Sequence, residues 1–151
     1  MFFSGIINRL SLSDDEIAAI MGHEMAHALR EHGREAMSRE MAKQLGMNVL
    51  AMSGKVDGQY LQLLDQGTGV FLLKYSRENE TEADRIGLEL MARAGYDPTA
   101  AISLWRKMAA ASSGEPPAWL STHPSNQGRQ QDLNEKIPLV MPLYQQAKKG
   151  R

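Results

Sequence analysis

The stretch from Ser13 to Leu29 reads as a helix that ordinary core packing does not explain. Ser13-Asp14-Asp15-Glu16 is a capping box, in which the Ser13 hydroxyl accepts from the Glu16 amide and the Glu16 carboxylate accepts from the Ser13 amide. Leu12 and Ile17 sit where a hydrophobic staple would close it. From Ile17 to Leu29 almost every residue is apolar or small, which predicts a helix buried on most of its circumference. The exceptions are His23, Glu24 and His27. Residues four apart lie within about 40° of each other on a helix, so both imidazoles project toward one point with Glu24 beside it. Burying these groups dry costs several kcal/mol of desolvation, which a bound cation offsets. His23-Glu24-Met25-Ala26-His27 is therefore a metal chelate with an adjacent base.

The chain has no cysteine, which removes disulfides, thiolate metal ligands and a cysteine nucleophile. Any metal must be held by His and carboxylate. A catalytic zinc takes three protein ligands and keeps one position for water, so a third ligand is required. A His-rich extension of the motif would need Gly at position 30 and His at 33, where the chain has Arg30 and Gly33. His32, five residues beyond His27, falls about 140° round a continuous helix and reads as a polar residue at its emerging end. A carboxylate from another helix remains. In the helix predicted for Glu78 to Ala94, Ala83, Ile86, Gly87, Leu90, Met91 and Ala94 share one side, and Glu82, Arg85, Glu89 and Arg93 the other. Glu80 and Asp84 fall with the apolar side. One turn apart, they suit a metal ligand, Glu80, and a partner, Asp84, that accepts the far N–H of a ligating histidine. The plain alternatives are a salt bridge from Asp84 to a nearby arginine and a frayed helix start at Glu80.

With 151 residues, 42% hydrophobic and 23% charged, the chain has the length and composition of one globular domain. Its net charge of −1 weighs against nucleic acid as a partner. The longest apolar stretch, Ile17 to Gly22, is far short of the roughly 20 residues that span a bilayer, and the N-terminus does not have the pattern of a signal peptide. Phe2 to Ile7 is expected to be a short strand. Gly33 is expected to bend or end the first helix, and Arg34 to Leu45 to be helical again. Gly46 to Gly58 reads as a loose connection, and Gln59 to Tyr75 as helix interrupted at Gly67-Thr68-Gly69. Glu78 to Ala94 ends at Gly95, and Asp97-Pro98 opens a helix to about Ala111. A loop runs through His123-Pro124, and a polar helix from about Ser125 is expected to stop at Pro138. Five or six helices and at most one or two short strands make the chain mainly α. Of the ten methionines, Met21, Met25, Met37, Met41 and Met47 suit either an adaptable peptide-binding surface or, the commoner use, gap-filling in a helical core.

Taken together, several segments resemble family forty-eight of the metallopeptidases, the gluzincins that include HtpX-type heat-shock proteases, CAAX prenyl proteases and bacterial periplasmic relatives. They are Ser4-Gly5-Ile6, Asp15 to Ala19, His23 to His27 with His32, Ser76 to Gly87, Ala94 to Pro98, and Thr122-His123-Pro124 with Arg129. The resemblance covers about the first 130 residues, in order. It implies a zincin-like helical metalloprotease core with a short N-terminal strand remnant, as one catalytic domain over residues 1–151. It also implies that the family's upstream hairpin and targeting segment are missing, and that a full-length parent is periplasmic or membrane-associated. The implied activity is zinc-dependent cleavage of protein or peptide substrates, with one zinc per chain on His23, His27 and Glu80 and with Glu24 as general base. The glutamate four before the aspartate is the family's ligand, which favours Glu80 over Glu82. The His-Pro-to-Arg element faces the family's active site, which points to His123 and Arg129 as donors to the developing oxyanion. For His123, a fourth zinc ligand and a surface residue are the alternatives. The rival functions are a zinc-bound, chaperone-like interaction module without proteolysis and a purely helical interaction domain.

Overall fold

The computed structural model describes residues 4–111, 123 and 127–150. Six helices follow in order: α1 (Ser4–Leu10), α2 (Asp14–Leu29), α3 (His32–Met52), α4 (Gly58–Arg93), α5 (Ala100–Ala111) and α6 (Gln127–Lys149). No strand occurs among the described residues, so the chain is mainly α. It divides into two compact units, residues 1–26 with 80–151, and residues 27–79.

In the first unit, residues 4–7 of the expected strand are helical instead, and Phe2 and Phe3 lie outside the described residues. A lone strand leaves its N–H and C=O groups unpaired, whereas a helix pairs them locally. Ile6 is buried, and Ile7 and Leu10 pack beside the core, an i, i+4 spacing that suits a helix. Ser11, at φ 46°, closes α1. The Leu12 N–H reaches the Ile7 carbonyl at 3.1 Å and the Ser11 N–H that of Asn8 at 3.4 Å, a Schellman arrangement.

The capping box at the start of α2 is formed. The Ser13 N–H donates to Glu16 Oε2 at 2.9 Å and the Glu16 N–H to Ser13 Oγ at 3.3 Å. Glu16 also joins α2 to α5, accepting from the Ser103 hydroxyl at 2.6 Å and the Lys107 ammonium at 2.7 Å. Burial pushes its pKa up, but Lys107, Ser103 and the Ser13 amide together outweigh burial and hold the carboxyl below its usual range. After α4, Gly95 at φ 79° makes the same kind of stop as Ser11. Asp97 then accepts from the Thr99 N–H at 2.9 Å, just ahead of α5.

The core of this unit is built where α2 crosses the C-terminal part of α4. A Cβ placed on Gly22 would lie 2.6 Å from the Gly87 carbonyl oxygen, and one on Gly87 would lie 2.6 Å from the His23 nitrogen. Only glycine on both helices lets the two backbones touch. Ala18, Ala19 and Ile20 of α2 and Leu88, Met91 and Ala92 of α4 are buried beside this contact, with Leu104, Trp105 and Met108 of α5 and Leu133, Ile137 and Val140 of α6. Helix α6 runs through Pro138 and Pro142 rather than stopping at the first. Both prolines are on its exposed side, while Leu133, Ile137 and Val140 anchor the other face. That burial offsets a proline cost of about 3 kcal/mol.

In the second unit, α3 continues through Gly46 to Met52, which shortens the expected connection, and α4 continues through Gly67-Thr68-Gly69 without the expected interruption. Glycine inside a helix costs only about 1 kcal/mol and does not forbid it. The connection is Ser53 to Asp57, with Gly54 at φ 61°. Lys43 pairs with Asp65 at 2.7 Å. The named methionines depart from the core expectation, Met21, Met25, Met37 and Met41 being exposed and Met47 half-buried, while among the described residues Met91 and Met108 are in the core. Among the described residues, no helix is long and apolar enough to cross a membrane.

Gly87→Ala and Gly22→Ala are each expected to lose about 1–3 kcal/mol in denaturant unfolding through backbone overpacking, although alanine is the better helix former. Gly46→Ala, in open space within α3, is expected to gain about 0.5–1 kcal/mol. Neutral substitutions at the crossing would show that the helices are farther apart.

Candidate metal centre

The Gly22–Gly87 contact fixes how closely α2 and α4 approach, and the residues next to it carry the chemistry. His23 follows Gly22 on α2, and Asp84 and Glu80 lie one and two turns before Gly87 on α4. His23 Nδ1 is 2.9 Å from Asp84 Oδ1. Its other nitrogen, Nε2, faces Glu80 Oε2 at 3.4 Å and His123 Nδ1 at 3.2 Å. His123, from the segment between α5 and α6, also places Nδ1 3.1 Å from both Glu80 oxygens and Nε2 3.3 Å from Glu24 Oε1. His27 lies one turn beyond His23 on α2. His23, His27, Glu80 and His123 each offer one ligand atom, all within 4.8 Å of one another. Glu82, the alternative to Glu80, is not in this group.

Arg129, in the first turn of α6, is 1% exposed. Its Nε and Nη2 donate to Asp84 at 2.6 and 2.8 Å, and its Nη1 lies 3.0 Å from Glu80 Oε2. The guanidinium stands over the Trp105 ring at 4.5 Å, a favourable site for a buried cation. Asp84 thus makes both contacts weighed from the sequence, one with a histidine and one with an arginine. The sequence expectation put Arg129 beside a reacting oxyanion; in the structure its guanidinium contacts the two α4 carboxylates.

These carboxylates dominate the local field. Burial lowers the pKa of His23, but its bonds to Asp84 and Glu80 outweigh burial and raise it. His123 is likewise opposed by burial, yet Glu24 and Glu80 push it up to about 9. Asp84 is raised by burial and lowered further by Arg129 and His23, with a net downward shift. A pocket that draws protons onto His23 and His123 is short of positive charge. Imidazole nitrogens and a carboxylate oxygen converging without sulfur are the donor set of a divalent cation of the zinc type, so these residues fit a metal.

Two features escaped the sequence reading. Arg129 as a clamp on Asp84 and Glu80 had only a weak signal, namely that two carboxylates on a buried stripe need a cation from elsewhere. His32, expected at the emerging end of the helix, is 6% exposed, with Nδ1 3.0 Å from His27 Nδ1. It was misplaced because α2 ends at Leu29 and the chain turns before α3, so projection along one straight helix does not apply.

The chain is 39% identical over 139 residues to the mitochondrial metalloendopeptidase OMA1 of Schizosaccharomyces pombe, covering 90% of this chain and 40% of that protein. It is 37% identical over 155 residues to the mitochondrial metalloendopeptidase OMA1 of Bos taurus, covering 93% and 29% respectively. To the beta-barrel assembly-enhancing protease of Escherichia coli K12 it is 30% identical over 149 residues, covering 92% and 31%. The chain therefore spans well under half the length of these relatives. No solved structure gives a significant match. Residues 1–137, including every residue of the cluster, match Peptidase family M48, and the chain belongs to that family of metal-dependent peptidases.

Proposed function

We propose that residues 1–151 act as one catalytic domain of a zinc-dependent endopeptidase that cleaves peptide bonds of protein substrates. The observation that carries this reading is the convergence of His23, His27, Glu80 and His123 within 4.8 Å, with Glu24 against His123. His23, His27 and Glu80 would hold one zinc ion per chain, which when bound makes a coordinated water acidic and polarises a carbonyl.

The chain's own residues then have distinct tasks. Glu24 accepts a proton from the attacking water as its oxygen bonds to the carbonyl carbon. Glu24 then delivers that proton to the amide nitrogen as the C–N bond breaks, so the products are a carboxylic acid and an amine. His123 places an N–H donor beside this base, where a developing oxyanion gains most from it. Asp84 accepts from His23 Nδ1 and so keeps Nε2 facing the cluster. Arg129 is a positioning residue, since its contacts hold Asp84 and Glu80. The family resemblance favours a periplasmic or membrane-associated setting, while the names of the similar proteins point to the mitochondrion for OMA1 and to beta-barrel assembly for the Escherichia coli protease.

Glu24→Gln keeps the shape of the base without its proton affinity. It is expected to retain zinc and thermal stability while peptide hydrolysis, followed on an unstructured protein substrate, falls by orders of magnitude. Unchanged hydrolysis would remove Glu24 from the reaction, and absent hydrolysis in the parent chain would favour a binding module.

Glu80→Gln is expected to weaken zinc binding strongly in a chelator competition, whereas Glu82→Gln leaves it near the parent value. The reverse order would assign the third ligand to Glu82.

A further inference from the structure

We propose that His32 is a positioning residue for His27: its Nδ1 accepts the Nδ1–H of His27 and thereby fixes Nε2 as the nitrogen His27 presents to a metal. This rests on the reading of His27 as a zinc ligand. The two Nδ1 atoms are 3.0 Å apart, with the rings edge-on at 77°. A hydrogen bond between two ring nitrogens contains one proton, so one ring donates and the other accepts. If His32 donated, the neutral His27 ring would have its proton on Nε2 and no lone pair there for a metal. If His27 donates, Nε2 is bare, and His32 takes the tautomer protonated at Nε2.

The other helix histidine follows the same rule. His23 directs Nδ1 to Asp84 at 2.9 Å and leaves Nε2 to the cluster. His32 is thus the neutral counterpart of Asp84, so the two histidines have outer partners of different charge.

The backbone is bent to make this contact. Glu31, between α2 and α3, sits at φ 53° and ψ 30°, with no side-chain cap on α3. A left-handed conformation in a non-glycine residue is uncommon and unfavourable. It interrupts the helix one residue before His32, which on a continuous helix would point about 140° away from His27. Here His32 is instead buried against His27. An exposed linker of two helices has no need of a buried histidine or a strained glutamate.

The test uses the full 151-residue chain and the zinc ion itself. His32→Phe keeps a ring of similar shape without an acceptor, and His32→Asn places an amide oxygen close to where Nδ1 stood. Zinc affinity by chelator competition is expected to fall about 10- to 100-fold in His32→Phe and to recover most of that loss in His32→Asn. Nitrogen-15 NMR of the zinc-loaded parent is expected to show His27 protonated at Nδ1. Parent-like zinc affinity in His32→Phe, or His27 protonated at Nε2, would overturn the proposal even if the chain is a zinc protein. Failure of the underlying reading is distinct: zinc binding in the parent would then be insensitive to His27→Ala itself.

Discussion

The contact between Gly22 and Gly87 sets how closely α2 and α4 approach where they carry His23, Asp84 and Glu80. Two helices whose facing residues carried even a methyl group would have to separate, since a methyl on either glycine would lie 2.6 Å from the backbone of the other helix. With glycine on both, His23 comes within hydrogen-bond reach of Asp84, and Glu80 comes opposite His23 Nε2. Two further helices complete the arrangement: α5 supplies Trp105 and α6 supplies Arg129, which pairs with both Asp84 and Glu80.

Charge is arranged around that crossing in layers. Glu80 and Asp84 are buried, and buried carboxylates are costly unless paired and hydrogen-bonded. Arg129 pairs with both, yet its charge does not satisfy the site, because His23 and His123 are still driven toward protonation by the carboxylates beside them. A divalent cation among the same donors would supply the missing charge and remove the need for those protons, which would couple stability to metal affinity. A side chain that positions a ligand would then act on both, the role proposed for Asp84, Arg129 and His32.

Much of this was legible in the chain before the structure. The capping box at Ser13 and the motif at His23 to His27 are local patterns, and a local pattern survives folding when the helix that carries it is long and well capped. Glu80 and Asp84 were readable because helical periodicity placed two acids among apolar residues. The failures share a cause, since each turned on tertiary context. Pro138 did not stop α6, because burial of Leu133, Ile137 and Val140 outweighs one lost backbone bond. Residues 4–7 did not become a strand, because Ile6 could be buried from a helix. His32 was misjudged because the turn at Glu31 depends on a conformation that sequence does not advertise for glutamate. Arg129 lies 45 residues from Asp84 in sequence, and its partners could not be read from spacing.

Zinc K-edge X-ray absorption on the zinc-loaded chain, compared with the His23→Ala, His27→Ala double variant, tests the metal centre most directly. A centre built on these residues gives nitrogen and oxygen neighbours at about 2.0–2.1 Å, with the outer scattering of at least two imidazoles, and loses that imidazole scattering together with zinc occupancy in the double variant. Full occupancy with an unchanged spectrum after both histidines are removed would contradict it.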